Sequence, residues 1–271
     1  VSEFLKLYLD AVVFAFGAIV GSFLNVCIHR MPRDQSIVRP PSHCPSCDRP
    51  IRWWDNIPLV SYVVLRGRCR HCQARISPRY FLVELLTAFL FLASWLKFRD
   101  ESLPMAAIYW LLLAGFIAAT FIDFEHYIIP NEITVGGLAA GLVISAVYPA
   151  LHQAETWLGG LAWSALGAVV GGGVLLAVAL LGEKIFKKEA MGMGDVKLLA
   201  AIGAFLGWQA ALFSVFASSL VGGVVGLTLV LAGGKEWSSR IPYGPYIVFG
   251  AVLWMFWGPE LVRWYLNFLR G

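Results

Sequence analysis

Charge is what this chain is short of. Only 14% of its 271 residues are Asp, Glu, Lys or Arg, where an ordinary soluble protein has about 25%. Its hydrophobic share is 59%, which excludes a disordered chain and speaks against a soluble enzyme. The uncharged residues fall in runs near the ~20 positions that cross ~30 Å of hydrocarbon as helix, and the mean hydropathy is +0.71. The expected fold is therefore an all-α integral membrane protein of about eight spans. They fall near 9–28, 80–98, 104–122, 131–150, 158–181, 196–210, 211–232 and 243–262. No charge separates the sixth of these from the seventh.

Other absences narrow the function. No Gly-x-Gly-x-x-Gly or Walker pattern follows a strand-like run, so soluble-type dinucleotide or ATP sites have no support. Neither a His-Glu-x-x-His motif nor a Ser/His pairing is present, and there is no internal repeat or low-complexity stretch. The first apolar run has only Lys6 before it and no small-residue cleavage site before Arg30, so it reads as a permanent helix rather than a signal peptide. The net charge of +4 is too small to suggest nucleic acid, which leaves membrane lipid as the surrounding partner.

The placement of the basic residues is informative. Ten arginines stand in 29–79; with Lys184, Lys187, Lys188, Lys197, Lys235 and Arg240 they make sixteen on one side of the expected topology. Only Lys6, Lys97, Arg99, Arg263 and Arg270 fall on the other. The positive-inside rule then puts 29–79 in the cytoplasm and both termini outside. Three domains are expected: a first transmembrane helix over 1–28, a cytoplasmic domain over 29–79 and a seven-helix membrane core over 80–271. Within the spans, Gly137/Gly141, Gly167/Gly171, Gly203/Gly207 and Gly222/Gly226 stand four apart, a spacing that lets helix backbones approach closely.

The segment 29–79 contains Cys44-Pro-Ser-Cys47 and Cys69-Arg-His-Cys72. Four thiolates in paired knuckles form the ligand set of a structural tetrahedral zinc, and the gap between knuckles is slightly longer than the usual zinc-ribbon range. In a reducing compartment disulfides are the weaker alternative. So small a domain needs the metal for its folding energy. His43 and His71 lie beside the knuckles as exposed neighbours, and Cys27, inside a span, reads as a small buried hydrophobe.

Two acids stand out at the edges of uncharged spans. Asp123 closes the third and Asp195 opens the sixth, in Gly192-Met193-Gly194-Asp195. An even number of crossings separates them, so both return to the same edge of the bilayer. An ionisable group in a span is costly, roughly 2.5–3.5 kcal/mol on insertion scales, and by default marks a functional site. Either Asp could instead be a helix cap. Paired carboxylates suit hydrolysis without a covalent intermediate: one takes a proton from the attacking water and the other protonates the carbonyl oxygen. Gly192 and Gly194 would leave room for a substrate backbone. Two other readings stay open, a proton-coupled transporter with a zinc-ribbon regulatory loop and a non-catalytic assembly scaffold.

The chain as a whole resembles the type IV prepilin peptidases, membrane aspartyl proteases that share a Gly-x-Gly-Asp motif with the presenilin group. The matching pieces are Gly21-Ser22-Phe23-Leu24-Asn25-Val26 with Arg30 and Pro32, both Cys-x-x-Cys knuckles, Asn56-Ile57-Pro58 with Ser61-Tyr62, and Tyr80 with Val83-Glu84. They continue with Asp123, Ile129-Pro130-Asn131, Gly192-Met193-Gly194-Asp195-Val196-Lys197 and Ile241-Pro242-Tyr243-Gly244-Pro245. The resemblance implies that Asp123 and Asp195 are catalytic. It also implies that type IV prepilins and type II secretion pseudopilins are cut after the Gly of a basic leader, at the cytoplasmic face of the bacterial inner membrane. Members with the four-cysteine loop N-methylate the new terminus with S-adenosylmethionine. Asn56, Tyr62, Glu84 and the segment around Arg30 are candidates for the donor site because they share the compartment, although Glu84 could equally pair with Arg79 or Arg30. Lys197 could hold the substrate, tune the aspartates or serve as a membrane anchor.

Overall fold

The computed structural model describes residues 3–100, 102–187, 191–232 and 241–270. Lys188, Lys235 and Arg240, three of the basic residues used to orient the chain, lie outside them. All long elements are helices: α1 Glu3–Arg30, the short α2 Val60–Val64, α3 Pro78–Phe98, α4 Leu103–His126, α5 Asn131–Val147, α6 Trp157–Phe186, α7 Met193–Leu231 and α8 Gly244–Arg270. Six of these are long and apolar enough to cross a membrane, and α5 is a shorter apolar helix. This is a multi-pass membrane protein. The chain divides into two compact units, residues 1–118 and 119–271.

In the first unit α1 packs on α3 through small residues. A Cβ added at Gly17 would stand 2.8 Å from the Ala88 Cα, and one at Gly21 would stand 2.7 Å from the Glu84 Cα. Backbones this close exclude any side chain at either glycine. Polar clamps fix the register at both ends of the pair. Asp10 accepts from the Trp95 indole at 2.9 Å and from Arg99, while the Asn25 amide donates to the Tyr80 carbonyl at 2.9 Å. Phe91 stacks on Trp110 at 5.6 Å, and the Trp110 indole donates to the Phe91 carbonyl.

The second unit is arranged around α7, which packs on α5, α6 and α8. Of the four spaced glycine pairs, those between α6 and α7 come closest: a Cβ at Gly167 would collide with the Gly203 carbonyl, and one at Gly171 with the Leu199 carbonyl. Gly141 leaves space for Ala204 and Phe205, whereas Gly222 and Gly226 have only ordinary contacts. The sixth and seventh expected spans are two helices that share the label α7 and meet at Gly207, whose φ of 84° and ψ of 170° are not helical; the chain turns there, since Leu199 and Ala211 both approach Gly171. A side chain is strongly disfavoured there. The break falls three residues before the expected boundary, and it leaves an N-terminal segment, 193–206, of ~21 Å by helical rise.

The break is held by side chains. The Ala204 carbonyl, three residues before Gly207, accepts from Ser164 at 2.8 Å and from Ser145 at 3.4 Å, and His152 Nε2 lies 3.0 Å from it. Helix ends leave carbonyls unsatisfied, and buried ones need partners. Residues from α5, α6 and the α5–α6 turn supply them here.

Candidate functional site

Asp123 stands one turn before the end of α4. The helix stops at Tyr127, whose backbone is left-handed (φ 57°) and whose N–H bonds back to the Asp123 carbonyl at 2.9 Å. The chain then passes through Ile129 and Pro130 into α5. Asp195 lies in the first turn of α7, and its N–H bonds to the Gly192 carbonyl at 3.1 Å. Both side chains are nearly dehydrated, at 5% and 9% exposure, and they lie within electrostatic reach of each other.

Backbone groups meet both carboxylates. The Gly244 N–H, at the first residue of α8, donates to Asp123 Oδ2 at 3.0 Å. That is an orphan donor of a helix N-terminus, where the helix dipole favours negative charge. The Gly192 backbone faces the Asp195 carboxylate. Ile129 closes the arrangement: a Cβ at Gly194 would stand 3.3 Å from its Cβ, and one at Gly244 would stand 3.0 Å from its Cδ1 and 2.9 Å from Asp123 Oδ2. Gly194 thus accommodates Ile129, whose side chain a Cβ there would crowd. A Cβ at Gly192 would meet, among the described residues, Asp195 Oδ2 at 3.5 Å and the Gly194 N at 4.0 Å, both ordinary contacts.

Lys197 donates to Asn131 Oδ1 at 2.9 Å, which ties the first turns of α7 and α5 together. The part played by Gly244 was not apparent beforehand. Its segment, Ile241-Pro242-Tyr243-Gly244-Pro245, carried only a resemblance, and the one available signal was a glycine directly before a proline at a helix start. Tyr243 beside it bonds Ser218 at 2.7 Å, fixing the entry of α8 against α7.

The four cysteines of the first unit converge. The ligand atoms of Cys44, Cys47, Cys69 and Cys72 all lie within 4.8 Å of one another, and the Cys44 and Cys72 sulfurs are 3.8 Å apart. Zn–S bonds of ~2.3 Å at tetrahedral angles put sulfurs ~3.8 Å apart, so the donor set fits that metal. The two knuckles are built alike. The N–H of Cys44 bonds to the Arg49 carbonyl and that of Cys69 to the Ala74 carbonyl. Asp48 and Gln73, each four residues after the first cysteine of its knuckle, are left-handed. The backbone N–H groups of Cys72 and His71 lower the Cys69 thiol to about 7. His43 bonds the Pro41 carbonyl and His71 meets Arg49, both outside the cluster. All five cysteines are free thiols.

Of the remaining polar candidates, Glu84, Arg30 and Tyr62 have structural partners. Buried Glu84 accepts from the Leu59 N–H at 2.7 Å and from Ser22. Buried Arg30 donates to the Ser36 and Pro40 carbonyls. Tyr62 lies on Phe81 at 5.3 Å, and Asn56 is exposed.

Comparison with known proteins agrees with these features. Residues 15–98 match the bacterial peptidase A24 N-terminal domain, which spans the cysteines, and residues 110–227 match the type IV leader peptidase family, which spans both aspartates. A prepilin leader peptidase/N-methyltransferase of Aeromonas hydrophila is 39% identical over 96% of this chain and 94% of its own length. Proteins of the same name in Pseudomonas aeruginosa and Myxococcus xanthus are 35% and 43% identical, over 93% and 82% of this chain and 91% and 64% of their own lengths. No solved structure matches the chain. With both halves of the chain matched, and the Aeromonas hydrophila protein alike over 94% of its own length, this membrane protein belongs to the type IV leader peptidase family.

Proposed function

We propose that the chain cleaves the basic leader of type IV prepilins and type II secretion pseudopilins after its Gly, with Asp123 and Asp195 as the catalytic pair. The observation that carries this is the pair of buried carboxylates at two helix ends, within electrostatic reach of each other. Paired carboxylates of this kind work by sharing one proton. The ionised member takes a proton from the attacking water while the other protonates the scissile carbonyl. The Gly244 N–H stabilises charge on Asp123 and fixes which oxygen faces the reaction. Membership of a peptidase family favours this over the transporter and scaffold readings.

A second activity is part of the proposal. The relatives' name pairs the peptidase with an N-methyltransferase, and hydrolysis frees an α-amino group of pKa ~8 that is nucleophilic once deprotonated. S-adenosylmethionine would supply the methyl group. The excess of basic residues supports a cytoplasmic side for residues 29–79 and the aspartates, in a bacterial inner membrane with both termini outside. The test is incubation of purified protein with a leader-bearing prepilin, with and without S-adenosylmethionine. Product masses should show loss of the leader in both cases and one added methyl only with the donor. An intact prepilin overturns the proposal.

Zinc at Cys44, Cys47, Cys69 and Cys72 completes it as scaffold. Elemental analysis should find about one equivalent per chain, falling sharply in a Cys44→Ser/Cys69→Ser variant. Metal-free protein with linked thiols would overturn this assignment. A Gly244→Ala substitution bears on the aspartates instead. It forces a methyl to within 2.9 Å of Asp123 Oδ2, and a misplacement of that order should slow cleavage about tenfold to a hundredfold. Initial rates on a prepilin, with unchanged thermal unfolding, check it.

A further inference from the structure

The four-cysteine segment is not polar throughout. Between its knuckles runs Trp53-Trp54-Asp55-Asn56-Ile57-Pro58-Leu59-Val60-Ser61-Tyr62-Val63-Val64. In α2 the polar side chain is inside: buried Ser61 accepts from the Ile57 N–H and donates to the Trp54 carbonyl, both at 3.0 Å. The valines are outside. Val60, Val63 and Val64, at the i, i+3, i+4 spacing of one helix face, are 55%, 63% and 68% exposed, and Trp53 beside them is 75% exposed. A helix bathed in water has the opposite arrangement.

The depth of α2 follows from what it packs on. Tyr62 lies on Phe81, and the Leu59 N–H bonds Glu84, so α2 runs beside the first two turns of the membrane helix α3. Glu84 is six residues into that helix, ~9 Å along its axis from the end. With the span beginning at the start of α3, that distance matches the ~5–10 Å at which interfacial helices bury their apolar face. Leu82 and Leu86, on the same stretch of α3, are exposed as well, as the lipid-facing positions of a membrane helix are.

Charge completes the pattern. The segment 29–79 has ten arginines, no lysine and three aspartates. Asp55, the acid nearest the tryptophans in sequence, is paired with Arg70 at 2.6 Å, and that guanidinium holds its carboxyl below the ordinary range. Arg52, over the Trp54 ring at 5.2 Å, precedes the apolar stretch, and exposed Arg66 and Arg68 follow it. Tryptophan with flanking arginine is the composition of a membrane–water interface, and exposed cations there attract anionic headgroups.

We propose that Trp53, Trp54, Ile57 and the valine face of α2 form a lipid-docking surface, seated in the interfacial layer of a leaflet whose anionic phospholipids are held by Arg52, Arg66 and Arg68. The four-cysteine segment thus lies against the bilayer rather than standing in water. This rests on the first unit alone and is independent of the catalytic proposal.

The test uses the full chain labelled with 5-fluorotryptophan, in nanodiscs of phosphatidylcholine with or without phosphatidylglycerol. The signals of Trp53 and Trp54 are assigned by Trp53→Phe and Trp54→Phe. Lipid spin-labelled near the headgroup should broaden both, more strongly when phosphatidylglycerol is present, while a water-soluble paramagnetic agent should leave them sharp. An Arg66→Gln/Arg68→Gln variant should lose the dependence on phosphatidylglycerol and keep the broadening. Val63→Asp/Val64→Asp should lose the broadening while retaining the metal content that shows a folded loop. Broadening by the soluble agent in place of the lipid label overturns the proposal. So does protection that appears only on adding a prepilin, since its apolar helix would then be the occupant. Equal broadening in both lipid mixtures overturns the anionic part.

Discussion

Cleavage of a leader-bearing prepilin is expected to stop when either Asp123 or Asp195 is replaced by asparagine, in protein that still inserts and folds. Asparagine keeps the shape of the side chain, so Ile129, Gly192 and Gly244 keep their contacts. The loss is chemical. An amide neither takes the proton of the attacking water nor gives one to the carbonyl oxygen, and each such transfer contributes roughly 10²–10⁴ to the rate. Because the two groups act as one unit, the Asp123→Asn/Asp195→Asn protein should be no worse than either single variant. Initial rates in detergent, beside thermal unfolding of the same preparations, measure this. Turnover within about tenfold of the parent by either single variant would remove that residue from the chemistry.

The aspartates were legible because the membrane makes charge conspicuous: among uncharged runs, an acid at a span edge stands out by cost alone. The parity of the crossings brought two residues 72 positions apart to one edge, and the structure places them within reach of each other. The surroundings were less legible. Gly194 accommodates Ile129, a contact that the motif does not announce, and Gly244 reaches Asp123 from 121 positions away through a backbone N–H that no side-chain pattern announces. The break in α7 illustrates a similar gap. With no charge between 198 and 232, hydropathy could not locate it, and the reason for its position lies in three other elements, where Ser145, His152 and Ser164 surround the Ala204 carbonyl. The cysteines show the opposite case. Their spacing alone specified the cluster, since each knuckle is a local turn that closes on itself.

The two activities should separate by mutation. Both aspartates belong to the second compact unit and to the stretch matched by the leader peptidase family, while the cysteines belong to the first unit and to the N-terminal domain match. The aspartates stand on helix ends fixed by packing inside their own unit. Gly167 meets Gly203, Ala204 is held from three sides, and Lys197 is tied to Asn131. Loss of a metal-held loop removes none of these contacts. A Cys44→Ser/Cys69→Ser protein should therefore cut full-length prepilin within about threefold of the parent rate, yet methylate a pre-cleaved pilin at least about tenfold more slowly, since the metal supplies the loop's folding energy. Asp195→Asn should do the reverse. It would fail on the prepilin and methylate the pre-cleaved pilin normally, because the aspartate pair only prepares the amino group for transfer. Using both substrates matters, since a dead peptidase also starves methylation of its substrate when only prepilin is offered. If the cysteine variant loses both activities in parallel while its helices remain folded, the loop must also position the substrate for cleavage, and the two active centres are then one machine rather than two.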